Sequence, residues 1–168
     1  ELQPPLAKRL VHVHRMHGEE REDPYHWMRD DEREDPEILA HLRAENDYAE
    51  AALAPLAEFR ERLYQEIVGR IPQDDSSVPY RRDGWWYYQR VEEGKEYPIL
   101  CRREGSLDAP ESIYFDANLQ AEGHAFYSLG GASVSVDGST LAYAEDLVSR
   151  RIYTLRFRDL DTGLFLPD

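Results

Sequence analysis

The stretch Gly131-Ala132-Ser133-Val134-Ser135-Val136-Asp137-Gly138-Ser139-Thr140-Leu141-Ala142-Tyr143 alternates apolar and polar residues on either side of an Asp-Gly pair. Asp-Gly between alternating runs is the strongest short-range hairpin signal, because both residues accept the positive φ angles of a tight turn. A second run, Ile152-Tyr153-Thr154-Leu155-Arg156-Phe157-Arg158-Asp159, continues through Leu160 and Asp161 to a Thr162-Gly163 turn. Strand, hairpin, strand, loop, strand, turn is the grammar of one propeller blade, a four-stranded meander whose last hairpin is just beginning.

Moving outward, the period stays at two as far back as residue 78. Trp85–Val91, Tyr97–Arg103, Ser112–Phe115, Phe126–Val136, Thr140–Glu145 and Arg151–Phe157 are rich in β-branched and aromatic residues. Asp83-Gly84, Glu93-Gly94-Lys95, Gly105 and Asp137-Gly138 punctuate them. This spacing predicts antiparallel meanders, with a short helical turn over Asp116–Glu122. At most two blades fit between residues 78 and 168, and a blade needs neighbours to cover its faces. The expectation is therefore a fragment of a larger closed propeller.

Before residue 72 the pattern changes. Asp35-Pro36-Glu37 is a helix start: an N-cap acceptor, a proline at the first helical position, then an acid in the first turn. Ile38, Leu39, Leu42, Ala49 and Leu53 recur at helical spacing, and Pro55 restarts the pattern. Leu56, Phe59, Leu63 and Ile67 form the stripe of a second helix, with Gly69 and Pro72 as stop signals. Both stripes need a surface to pack on, and one helical hairpin is too little for a core. Residues 1–24, broken by Pro4, Pro5, Gly18 and Pro24, read as an extended arm without regular structure. The stretch 72–79, Pro-Gln-Asp-Asp-Ser-Ser-Val-Pro, reads as a linker and hinge carried by Pro72, Asp74 and Asp75. The fold class is α+β: arm and helical hairpin over 1–71, linker over 72–79, and truncated propeller blades over 80–168.

The 168 residues include 20 Lys+Arg against 34 Asp+Glu, a formal net charge of −14. Such a chain repels phosphates, which argues against nucleic acid or an anionic membrane as partner. The single Cys101 excludes an internal disulfide and a thiolate zinc site. No run approaches the roughly 18 apolar residues of a membrane span. The first residues lack the apolar segment of a signal peptide, so a soluble, cytoplasmic protein is the default expectation.

Few residues offer chemistry. His12, His14 and His17 form H-x-H-x-x-H, and on a strand His12 and His14 would share a face and could hold a metal. No carboxylate is pinned near them by pattern, so a solvent-exposed arm is the preferred reading. The acid run Asp30, Asp31, Glu32, Glu34, Asp35 and Glu37 fits no EF-hand loop, because glycine is missing at the sixth position. It reads as acid complementing a helix N-terminus. Ser133 and Ser135 lack the G-x-S-x-G elbow and sit in a hairpin rather than between strand and helix. Cys101 reads as a small buried side chain, and the Trp85–Tyr88 cluster as core. Neither a Walker loop nor G-x-G-x-x-G occurs, and no cofactor is expected. By this reading the chain holds no catalytic, substrate-binding or metal site of its own.

The motif His17-Gly18-x-x-Arg21-x-Asp23-Pro24-Tyr25-x-Trp27-Met28-Arg29-Asp30-Asp31 resembles the amino-terminal signature of prolyl oligopeptidase-type serine peptidases. Glu66 to Arg103, then Gly123-His124 and Tyr127-Ser128-Leu129-Gly130-Gly131, are similar to that family's oligopeptidase B (protease II) branch. One departure is Val136, where the family's repeats often carry proline. The resemblance implies a seven-bladed propeller joined to an α/β-hydrolase domain, with the arm and helices belonging to the latter. It places the Ser, Asp and His triad, and the carboxylates that read a basic side chain, beyond Asp168. The implied activity is hydrolysis of short peptides after Arg or Lys, with this segment restricting access rather than doing chemistry. Alternatives are a proline-specific oligopeptidase of the same family and a stand-alone propeller-type interaction module. The implied partners are short basic peptides and the remaining blades and hydrolase domain. With Leu42, Leu53, Phe59, Leu63 and Ile67 and its strand edges uncovered, the isolated segment is expected either to self-associate or to be stable only with the rest of the enzyme.

Overall fold

The structure is a computed structural model, and it describes residues 2–166. The chain divides into two compact units, Glu1–Arg70 and Ile71–Asp168. No helix among the described residues is long and apolar enough to cross a membrane.

The first unit opens with a hairpin rather than a patternless arm. Strands β1 (Val13–Met16) and β2 (Glu19–Glu22) pair antiparallel, Val13 opposite Glu22 and Met16 opposite Glu19. His17 and Gly18 make the turn with φ of 54° and 81°, the two positive values of a type I′ turn. The ladder runs on past the strands: Asp23 N–H donates to the His12 carbonyl at 2.9 Å, and Leu10 N–H to that of Pro24 at 3.0 Å. A 3-10 turn at His26–Met28 follows. Trp27 Nε1 donates to the Lys8 carbonyl at 2.8 Å, and Lys8 Nζ lies over the Trp27 ring at 4.7 Å.

Helix α1 spans Pro36–Leu53, a 3-10 turn Ala54–Leu56 carries Pro55, and helix α2 spans Ala57–Val68. The acid run prepares this start. Asp30 accepts from the N–H groups of Glu32, Glu34 and Asp35, which hold its carboxyl below the usual range; the Asp35 bond contributes most. Asp35 then caps α1 by accepting from Glu37 and Ile38. Leu42, Leu53, Phe59, Leu63 and Ile67 all stay exposed.

The second unit is two antiparallel sheets. In the first, β3 (Asp75–Ser76) and β4 (Tyr80–Arg82) line the same edge of β5 (Trp85–Val91), which pairs with β6 (Ile99–Glu104), then β7 (Ser112–Asp116). The short helix α3 (Ala117–Ala121), capped by Asp116, leads to the second sheet. There β8 (Ser128–Val134), β9 (Thr140–Asp146) and β10 (Thr154–Asp159) form a meander. A fourth strand is starting: Arg158 bridges Phe165, Asp159 N–H donates to the Leu164 carbonyl and Leu166 N–H to that of Phe157.

Alternation sorts the first sheet's residues onto two faces. Tyr87, Leu100 and Phe115 join Ala117, Tyr127, Val134, Leu141 and Tyr143 of the second sheet and its approach in one core. The Phe115 and Tyr143 rings meet at 4.7 Å between centroids. Tyr88, Ile99 and Cys101 form a smaller cluster on the opposite face. The two sheets are thus neighbouring blades stacked face to face.

Candidate functional site

Among the described residues, two clusters of polar and titratable side chains stand out. The first is in the amino-terminal unit, where the hairpin sets His12 and His14 two residues apart on one face. The ladder puts Asp23 opposite His12. Asp23 also begins a turn: its Oδ1 accepts the Tyr25 N–H at 3.1 Å, and its carbonyl accepts the His26 N–H at 3.3 Å. That reversal lays His26 on the same face. The His12 and His26 rings stack at 3.7 Å, and His14 meets both edge-on at 4.6 and 4.8 Å. Desolvation, then His26 and His14, hold the His12 pKa below its usual value against the opposing pull of Asp23. His17, grouped with His12 and His14 by the sequence motif, instead occupies the hairpin turn. His26 and Asp23 are the members that sequence spacing missed; the turn-forming Asp-Pro-Tyr was the available signal.

The second is on the far face of the first blade. Tyr88 Oη donates to Glu111 at 2.5 Å, Arg90 pairs with Glu111 at 3.2 Å and with Glu92, and Arg103 Nε donates to Tyr88 Oη at 3.0 Å. Burial alone would raise the Glu111 pKa, but the Tyr88 hydroxyl and the Arg90 charge outweigh it and hold it low. Beneath this lid Cys101 is fully buried, and burial pushes its thiol up to about 11. It is protonated at neutral pH and no nucleophile.

The other sequence candidates have structural work. Ser135 Oγ donates to Asp137 at 2.5 Å and accepts the Thr140 N–H at 2.9 Å, which commits its hydroxyl to the hairpin turn. Ser133 lies within β8. Of the residues read as a hinge, Pro72 is exposed and outside regular structure. Asp74 and Asp75 belong to the blade: Asp74 accepts the Glu93 N–H at 2.8 Å, and Asp75 pairs opposite Val91. Blade pairing therefore begins inside the stretch read as linker, because even a two-residue strand satisfies the open edge of β5. A cleft of about 340 Å³ lies between the two blades, with Tyr80, Tyr87, Tyr114, Gly131 and Ala132 in its wall.

The succession of helical unit, complete blade and second blade is matched over residues 4–168 by the family model described as prolyl oligopeptidase, N-terminal beta-propeller domain. The chain belongs to the prolyl oligopeptidase family. Among curated relatives of this propeller domain, dipeptidyl aminopeptidase BI of Pseudoxanthomonas mexicana is 46% identical, with 98% of this chain aligned to 25% of that protein. Protease 2 of Moraxella lacunata is 36% identical, with 98% of this chain aligned to 24% of that protein. Oligopeptidase B from Leishmania major superposes with a TM-score of 0.83 at 32% identity, covering 97% of this chain and 25% of that one. Oligopeptidase B from Trypanosoma brucei, with covalently bound antipain in the closed form, gives 0.81 at 32% identity, covering 92% and 24%. The chain thus spans about a quarter of the length of these relatives. The residues described are the start of the family's propeller, two of its blades, together with the segment that precedes it.

Proposed function

We propose that this chain is the amino-terminal part of a serine oligopeptidase that hydrolyses short peptides after Arg or Lys. The observation that carries the reading is the pair of stacked meander blades that follows the helical unit in sequence, within a match to the family's propeller domain over residues 4–168. In this reading the segment does no chemistry. Its blades help to form a shell that admits short, extended peptides, and its exposed helical stripes pack on a hydrolase domain that supplies Ser, His and Asp. Acyl transfer follows there: the Ser hydroxyl attacks the scissile carbonyl, His takes its proton and returns it to the leaving amine, and Asp orients His. The acid excess of the chain favours cationic peptides near its surface.

A second reading is favoured by the 46% identity to a relative named dipeptidyl aminopeptidase. It differs in where the cut falls: two residues from a free amino terminus rather than inside a blocked peptide. Paired fluorogenic substrates ending in Arg-Arg, one amino-blocked and one free, separate the two in the full-length enzyme. Cleavage of the blocked substrate supports the endopeptidase. Turnover of the free one alone supports dipeptide release, and turnover of neither, with cleavage only of a proline-ending substrate, overturns the Arg/Lys reading. The 168-residue chain by itself is expected to turn over neither.

A further inference from the structure

We propose that His12, His14, His26 and Asp23 bind a single divalent transition-metal ion, and that Zn²⁺ is the ion this donor set suits. Three imidazoles and one carboxylate supply four nitrogen and oxygen donors, the number a tetrahedral zinc shell takes. One nitrogen from each of the three histidines lies within 4.8 Å of the others. Asp23 Oδ2 is 3.5 Å from His14 Nε2 and 3.7 Å from His26 Nδ1. Donor atoms around tetrahedral zinc, with bonds of about 2.1 Å, sit about 3.4 Å apart. The carboxylate is therefore already close to a tetrahedral edge from two imidazoles.

The backbone that carries these groups is fixed independently of any ion. His12 and Asp23 are joined across the ladder, His14 sits within β1, and the Asp23–His26 turn closes through its own backbone bond. Asp23 is oriented as a ligand should be: Oδ1 is occupied by the Tyr25 N–H, which leaves Oδ2 toward the imidazoles. Outer contacts of this kind fix a ligand's direction and tune its basicity. Seating the ion asks only for side-chain rotations that take His12 and His26 out of their stack. Once bound, the ion would clasp the hairpin to the turn that leads into α1. The site is independent of the peptidase reading, since none of its residues is given a part in peptide hydrolysis.

The test uses the intact, tag-free protein stripped with a chelator. Titration with Co²⁺ is expected to give the visible bands of four-coordinate cobalt, saturating at one equivalent and abolished by Zn²⁺. In competition with a chromophoric chelator, His14→Gln and His26→Gln are expected to weaken zinc binding about tenfold or more, whereas His17→Gln leaves it unchanged. Zinc is expected to raise the melting temperature of the wild type but not of His26→Gln. Should either glutamine variant fail to fold, Asp23→Asn keeps the turn acceptor and removes the charge, and weaker binding is again expected. Absence of cobalt bands at one equivalent overturns the site. So does undiminished affinity in His26→Gln or Asp23→Asn, or an equal loss in His17→Gln.

Discussion

Arg102 of β6 donates through Nη1 to the carbonyl oxygen of Gly138, 2.7 Å away in the turn between β8 and β9. The arginine is only 5% exposed, and its guanidinium lies 4.0 Å from the centre of the Trp85 ring. One side chain thus links the first blade to the hairpin of the second. A charge-assisted bond of this kind contributes about 1.5–3 kcal/mol. Arg102→Ala is expected to lower the urea-unfolding free energy of the protein by about that amount. Arg102→Met, which retains the packing on Trp85, is expected to cost less. Equal losses in the two variants would show that the link to Gly138, which both remove, and not the packing on Trp85, carries the contribution.

Gly130 tests a different contact. A Cβ built there would lie 2.6 Å from Cε1 and 2.7 Å from Cδ1 of Tyr153. Overpacking of this sort costs about 1–3 kcal/mol. Gly130→Ala should therefore lower the melting temperature, and adding Tyr153→Ala should recover part of that loss. Additive losses in the double variant would mean that the ring is not the obstacle.

Leu141 of β9 and Leu155 of β10 lie on opposite faces of the same strand pair, Leu141 opposite Arg158 and Leu155 opposite Ala144, and differ in burial, 0% against 55% exposed. Leu141→Ala opens a cavity in the shared core and is expected to cost about 2–5 kcal/mol. Leu155→Ala is expected to stay within about 0.5 kcal/mol. Chemical denaturation of the two variants gives both values directly.

Acid stability should depend on Asp137. The hydrogen bond from Ser135, followed by those from Ser139, holds its carboxyl below the usual aspartate range. A depressed folded-state pKa contributes stability above the unfolded value of about 3.9, and that stability is lost as pH falls through the folded value. The stability gap between wild type and Asp137→Asn should be constant above about pH 5 and close progressively below about pH 4. A gap that widens on acidification would reverse the assigned sign.

Much of the blade architecture was legible because period two is a local signal. Trp85–Val91 forms a strand over the expected residues, and Asp137-Gly138 makes the expected turn. Where boundaries moved, side chains or backbone torsions moved them. The strand expected over Phe126–Val136 ends at Val134, because Ser135 turns its hydroxyl to the hairpin. The strand expected from Arg151 begins at Thr154. Arg150 and Arg151 instead donate their N–H groups to Asp146, with Arg151 at a φ of 57°. The histidine cluster was half visible. His12-x-His14 announced a shared face only if a strand existed, and the polar hairpin hid that strand. His26 and Asp23 join through a chain reversal, which no fixed spacing encodes.

The connectivity of the two blades bears on how the protein is made. Every long pairing in them joins strands adjacent in sequence, β5 with β6, β6 with β7, β8 with β9 and β9 with β10. A chain leaving the ribosome at about 5–20 residues per second can close each such ladder before the next strand emerges. The first blade is then a ready template, and its buried face waits only for Val134, Leu141 and Tyr143 to arrive. Translation order and assembly order coincide, so the nascent blade edge is covered by its own neighbour before a second chain can reach it.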